Sequence, residues 1–140
     1  MKHFLIASIV SLFSISILAA EANYPGLKGP VELIVMPDHS GHSKFSDAIK
    51  TATKSITMDM YHLTDQSVID ALTDAAKRGV KVQALLDRAN FSSPERAHRM
   101  YGSLTNDGAK VKVSSAGFSI THDKAMIIDA TQAFVTSIDK

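Results

Sequence analysis

Two side chains able to do chemistry stand close together near the C-terminal end of the sequence: His122 and, two residues on, Lys124. Asp129 follows five residues later, and Ala125-Met126-Ile127-Ile128 fills the interval. Apolar and β-branched residues in such a run predict a strand. On a strand, residues i and i+2 share a face, so the imidazole and the ammonium project side by side. Asp129 has the opposite parity and precedes Ala130-Thr131-Gln132, which places it where the strand turns. A nucleophile or base beside a fixed cation suits phosphoryl chemistry. The imidazole can attack phosphorus or transfer a proton, while the ammonium holds a non-bridging oxygen and stabilises charge in the transition state.

The elements that must position this pair are legible from periodicity. A Pro- and Gly-rich loop over residues 24–30 leads into Val31 to Met36, which reads as a first strand. Pro37 to Ser43 reads as a polar loop. Its His39 and His42, near Asp38, are metal-ligand types, but they lack a third well-spaced ligand and a helix to fix them, so the expectation is no metal. That leaves a solvated loop or the rim of a site. Phe45, Ala48, Ile49 and Ala52 mark one face of a helix over roughly 43–54. Ile56 to Leu63 reads as a second strand, with Ile56, Met58, Met60 and His62 on one face and Thr57, Asp59 and Tyr61 on the other. His62 continues an otherwise apolar face and reads as a hydrogen-bonded core histidine. Asp59 could orient a catalytic histidine, although satisfying a turn or helix is the plainer role.

Asp65 or Thr64 caps a second helix with an apolar stripe from Val68 to Ala76, Lys77 and Arg78 suit its C-terminal end, and Gly79 stops it. Residues 80–86 form a third strand ending at Asp87. Ser92-x-x-Glu95, with Pro94 between, has the form of a capping box for a third helix whose face is Ala97, Met100, Tyr101 and Leu104. Asn106-Asp107-Gly108 ends that helix, and Val111 and Val113 give a short strand before the His122 segment. Strands thus alternate with helices and finish in a hairpin. The expected fold is α/β and layered, with a mixed, mainly parallel sheet flanked by helices.

Composition sets further bounds. A chain of 140 residues is one domain with room for a core. A net charge of +1 gives no basic signature of a nucleic-acid binder, and the lysines and arginines between Lys44 and Arg99 are scattered among acids. The absence of cysteine excludes disulfides, thiol catalysis and cysteine-ligated metal. Met1-Lys2-His3 is a short basic start, Phe4 to Ala20 carries no charge, and Ala20-Glu21-Ala22 offers small residues for a signal peptidase. Residues 1–22 therefore read as a cleaved signal peptide, rather than an uncleaved anchor at the short limit of a spanning helix. The expected mature domain is 23–140, secreted or periplasmic, without a stable membrane span.

The pattern His122-x-Lys124-(x)4-Asp129 resembles the HKD signature of the phospholipase D superfamily. In that family the motif strand is followed by a strand carrying Gly-Ser-x-Asn, and the corresponding positions here read Thr136-Ser137-Ile138-Asp139. The serine matches, whereas Thr136 replaces the glycine and Asp139 the asparagine. The strand-helix-strand over residues 55–87 also looks like the segment before the motif in such proteins, so the likeness covers about residues 31–140. It implies a cofactor-independent, metal-independent phosphodiesterase acting on phospholipid or nucleic acid through a phosphohistidine. By position, His122 is the nucleophile or acid–base, Lys124 the phosphate clamp, Asp129 the support of the motif strand within the catalytic set, and Ser137 a phosphate donor. Asp139 stands at a phosphate-binding position where a carboxylate repels phosphate, which implies reduced activity or altered geometry there. A single motif implies a symmetric homodimer that completes the site, like small exported bacterial phospholipase D-like endonucleases. The alternatives are a C-terminally truncated half-enzyme or a catalytically incompetent binding or assembly module.

Overall fold

A computed structural model describes residues 29–34 and 39–137. The signal-peptide reading of residues 1–22, the loop at 35–38 and Asp139 lie outside the described residues. Two units are distinguished, divided between Ile34 and Val35. In the first, the described residues 29–34 carry neither helix nor strand. The strand expected from Val31 is absent there: no ladder pairs with it, and Val31 and Leu33 are 41% and 85% exposed. Alternation alone does not make a strand without a neighbour to hydrogen-bond it.

The second unit holds the sheet. Helix α1 (His39–Thr51) leads to β1 (Ser55–Met60), α2 (Gln66–Lys77), β2 (Lys81–Leu86), a 3-10 turn (Arg88–Phe91), α3 (Pro94–Asn106), β3 (Lys110–Val113), β4 (Lys124–Ile128) and β5 (Gln132–Val135). The strand order is β3-β2-β1-β4-β5. β1, β2 and β3 run parallel, β4 is antiparallel to β1, and β5 is antiparallel to β4. The sheet is mixed, as expected. Ile56, Met58, Met60, Val82, Ala84, Leu86, Met126 and Ile128 alternate into one buried cluster with Ile49, Ile69, Leu72 and Leu104 of the helices. Each of these side chains except Ala84 contributes about 1.5–3 kcal/mol on burial. The opposite parity stays half-buried or exposed, with Ile127 and Val135 48% and 86% open. No helix among the described residues is long and apolar enough to cross a membrane.

Local chemistry sets the element ends. Asp65 caps α2 by accepting from the Ser67 N–H at 2.9 Å. Gly79 follows with φ +87°, its N–H on Ala76 O and the Val80 N–H on Ala75 O, a Schellman closure that needs a left-handed residue. Gly108, with φ +95°, ends α3 in the same way. Arg78 serves a neighbour rather than its own helix: its guanidinium donates to Lys50 O at 3.0 Å, over the C-terminal end of α1.

Three expectations need correction. The stretch read as a loop over Pro37 to Ser43 is helical from His39, and α1 stops at Thr51 rather than near 54. It stops because the Thr53 and Lys54 N–H groups donate to the Asp129 carboxylate instead of to helical carbonyls. Second, Ser93, not Ser92, opens α3: its O accepts from the Ala97 N–H and its Oγ meets Glu95 Oε2 at 3.1 Å, while Ser92 closes the preceding 3-10 turn. Pro94 then takes the first helical position, where its missing N–H costs nothing. Third, β1 ends at Met60, so the strand parity assigned to Tyr61 and His62 does not hold.

The β4–β5 turn contains the two non-glycine residues with positive φ among those described, Asp129 at 53° and Ala130 at 57°, closed by the Thr131 N–H on Ile128 O at 3.0 Å. Positive φ at both central residues is the type I′ signature, which matches the strand twist and favours glycine second. Ala130 bears the left-handed penalty without a polar side chain to offset it. Ala130→Gly is therefore expected to raise stability by about 1 kcal/mol, read as a higher urea midpoint with an unchanged slope.

Candidate active site

His122 lies just before β4, and Lys124 is its first residue. The pairing Met60↔Lys124 places both at the C-terminal ends of β1 and β2. His122 is exposed, whereas Lys124 is only 6% exposed. Lys124 Nζ sits 3.0 Å from His122 Nε2. An ammonium can only donate, so Nε2 is the acceptor in this contact. The side-by-side projection expected from spacing is thus present, although the histidine belongs to the segment leading into the strand.

Tyr61 completes the cluster. Its ring meets His122 edge-on at 4.6 Å and 61°, and Lys124 Nζ lies 5.1 Å from its centroid, within cation–π range. His62 stacks on the other side of Tyr61 at 4.0 Å and 18°. It is half-buried among site aromatics rather than a residue on the core face of a strand. The Tyr61 N–H donates to Asp123 O at 2.8 Å, continuing the β1–β4 pairing one step beyond the ladder.

Asp87 anchors the His122 segment from β2. It is 3% exposed, accepts from the Ala89 N–H through Oδ1 and from the Thr121 N–H through Oδ2, each at 2.8 Å. Those two backbone donors, with smaller help from His62 and Arg88, hold its carboxyl below the ordinary range despite burial. Sequence reasoning treated Asp87 only as a strand end. The available signal was an acid at the carboxyl end of a parallel strand, where sites of open α/β sheets gather.

Asp129 lies at the other end of β4, roughly 17 Å from Lys124 by strand rise. Its Oδ2 accepts from the Thr53 N–H and hydroxyl, and its Oδ1 from the Lys54 and Ser55 N–H groups, all at 2.8–2.9 Å. These donors, Ser55 foremost, hold its carboxyl well below the ordinary range. The structure therefore does not bring Asp129 to the His122–Lys124 pair; it bolts the far end of the motif strand to the start of β1. Ser137 lies one residue past the backbone partner of Lys124. The Thr136 N–H donates to Lys124 O at 3.0 Å, and exposed Ser137 follows at the same edge of the sheet. Asp59, considered as an orienter of histidine, pairs in register with Ala125, and its Oδ1 is buried without a partner. Burial, then the Asp123 charge, pushes its carboxyl up. Among the described residues no three His, Asp or Glu side chains are grouped to hold a metal; the His39 and His42 side chains lie outside them.

This fold coincides with what the sequence matches. The family model described as cardiolipin synthase, PLD-like domain, matches residues 45–139, and the chain belongs to the phospholipase D superfamily of phosphodiesterases. It is 36% identical over 103 residues to a phospholipase D of Rickettsia bellii, covering 71% of this chain and 48% of that relative. A phospholipase D of Rickettsia prowazekii is 30% identical over 137 residues, covering 94% of this chain and 64% of the relative. The chain thus spans between about half and two thirds of the length of these curated relatives. The crystal structure of Nuc from Salmonella typhimurium, a phospholipase D family member, superposes with a TM-score of 0.64 at 28% identity, over 71% of this chain and 64% of that one. NucT from Helicobacter pylori shares the fold, with a TM-score of 0.60 at 23% identity over 70% of this chain and 65% of its own.

Opposite pH signatures follow for Asp129 and Asp59. A carboxyl lowered by folding stabilises above its unfolded pKa of about 3.9 and loses that contribution as pH falls toward the folded value. Asp129→Asn is therefore expected to lower stability at pH 7, with the deficit shrinking below about pH 4. A raised carboxyl does the reverse: its contribution is complete below the unfolded pKa and lost as pH rises through the folded one. Asp59→Asn is expected to stabilise at pH 7 and to match wild type in acid. Urea midpoints between pH 3 and 8 read both.

Proposed function

We propose that the chain is a metal-independent phosphodiesterase acting through a phosphohistidine, its site completed by a second His-Lys pair from another copy. The observation that carries this is the contact between exposed His122 and buried Lys124 at 3.0 Å, on the sheet edge that also receives Ser137. In the free site the Nε2 lone pair accepts from the ammonium. A bound phosphodiester offers Lys124 a better acceptor, a charged non-bridging oxygen, and transfer of the ammonium onto it frees Nε2 to attack. A P–N bond forms as the P–O bond to the leaving alcohol breaks. The second imidazole gives its proton to the departing alkoxide, then takes one from water as that water cleaves the P–N bond. Lys124, Ser137 and their counterparts hold the equatorial oxygens. The names of the relatives support a phospholipid substrate, and the resemblance of the sequence to small exported bacterial endonucleases of the superfamily supports nucleic acid. Export through the 1–22 leader would place the reaction outside the cytoplasm.

The test is hydrolysis of bis(p-nitrophenyl) phosphate by the purified chain in EDTA. His122→Ala and Lys124→Ala are each expected to lower kcat by roughly 10²–10⁴-fold. Quenched reactions should contain acid-labile, base-stable phosphate on wild-type protein and none on His122→Ala. Parallel assays with a short-chain phosphatidylcholine and with duplex DNA choose between the substrates. Inactivity of the folded chain toward all three would overturn the reading in favour of a binding module.

A further inference from the structure

The Tyr61 ring touches both motif side chains, yet Tyr61 lies past the last residue of β1, where its N–H still reaches Asp123 O but its carbonyl has left the ladder. That carbonyl is held by a side chain from the 3-10 turn after β2. Asn90 Nδ2 donates to Tyr61 O at 2.6 Å and to Asp87 O at 2.8 Å. Asn90 Oδ1 faces the Leu63 N–H at 3.5 Å and the Tyr101 hydroxyl at 3.1 Å, and that hydroxyl also reaches Leu63 O at 2.9 Å. The two carbonyls that require a donor fix the carboxamide in one orientation, with the Leu63 N–H and the single hydroxyl proton of Tyr101, shared between Oδ1 and Leu63 O, on the other side. The same amide therefore joins the strand end that presents Tyr61 to the strand end whose Asp87 carboxylate holds Thr121, next to His122. Asn90 reaches the His122–Lys124 pair from two directions without touching it.

We propose that Asn90 is a positioning residue of this site, setting the Tyr61 ring that aligns His122 and Lys124. The proposal deepens the phosphodiesterase reading, on which its kinetic readout rests. Asn90→Asp has the same shape but places an oxygen where two carbonyl oxygens require a donor, so the strand end carrying Tyr61 is released. Near-attack geometry tolerates little displacement, and about 1 Å can cost 10²-fold in rate.

The experiment is a double-mutant cycle of Asn90→Asp and Tyr61→Leu, with kcat and KM on bis(p-nitrophenyl) phosphate and the His122 imidazole NMR resonances as readouts. Each single variant is expected to lower kcat about tenfold or more with a smaller change in KM, and to move the His122 resonances. The double variant should fall little below the worse single one, because Asn90 acts through Tyr61. Ile69→Val, which trims the remote core, should leave those resonances in place. Additive losses in the double variant, or unmoved His122 resonances in folded Asn90→Asp, would overturn the proposal. If Asn90→Asp does not fold, Tyr101→Phe, which removes the hydroxyl shared between Oδ1 and Leu63 O, replaces it in the cycle with the same expected coupling. An inactive wild type whose His122 resonances still move in Asn90→Asp and Tyr61→Leu would sink the phosphodiesterase reading and leave the positioning role standing.

Discussion

The placement of the His-Lys pair depends on the register of β4 against β1, and the Asp129 carboxylate is the group that holds it. Four donors from three consecutive residues, Thr53, Lys54 and Ser55, converge on its two oxygens. A slip of one residue along β4 would break all four and turn each side chain to the other face of the sheet. Lys124 would then leave its position opposite Met60 for the open face, and its contact with His122 would be lost. The aspartate of the motif thus acts through the backbone of its strand, at the end away from the His122–Lys124 pair.

Three aspartates around β1 and β4 show how donor supply decides what a carboxylate can do. Asp129 has four donors and Asp87 has two backbone N–H groups, and both are held in the ionised form. Asp59 has a buried oxygen with no donor and a neighbouring acid, and its carboxyl is pushed toward protonation. The two well-supplied acids sit at opposite ends of the motif strand and its approach. Together they fix the segment at both extremities, leaving the stretch between to the ladder with β1.

Much of this was legible in the sequence because it rests on local signals. The α2 cap at Asp65, the stop at Gly79, the faces of α1 and α3 and the turn at Asp129 follow from residue types whose conformational preferences need no tertiary partner. The i, i+2 relation of His122 and Lys124 was also correct. Failures came where a distant group took over the backbone. Asp129, more than seventy residues away in sequence, draws Thr53 and Lys54 out of the helical pattern and shortens α1. Asn90 and Asp123 hold Tyr61 beyond the last strand residue, so period-two counting assigns His62 to the wrong surroundings. Asp87, Asn90 and Tyr61 carry no spacing signal to one another. They meet only because β1 and β2 end side by side.

That meeting explains why exposure and burial divide as they do within one three-residue segment. β4 runs antiparallel to β1, so its first residues arrive where the parallel strands finish, the edge at which open α/β sheets collect their sites. His122 stands before the ladder begins and remains exposed, free to meet a substrate. Lys124 stands inside the ladder and is almost fully enclosed, an arrangement that costs hydration and calls for compensating partners. The His122 lone pair and the Tyr61 face supply part of that compensation. Neither carries the negative charge of a phosphate oxygen. A buried cation already aimed and partly stripped of water binds such an anion with little further reorganisation, which is the electrostatic condition for phosphoryl transfer.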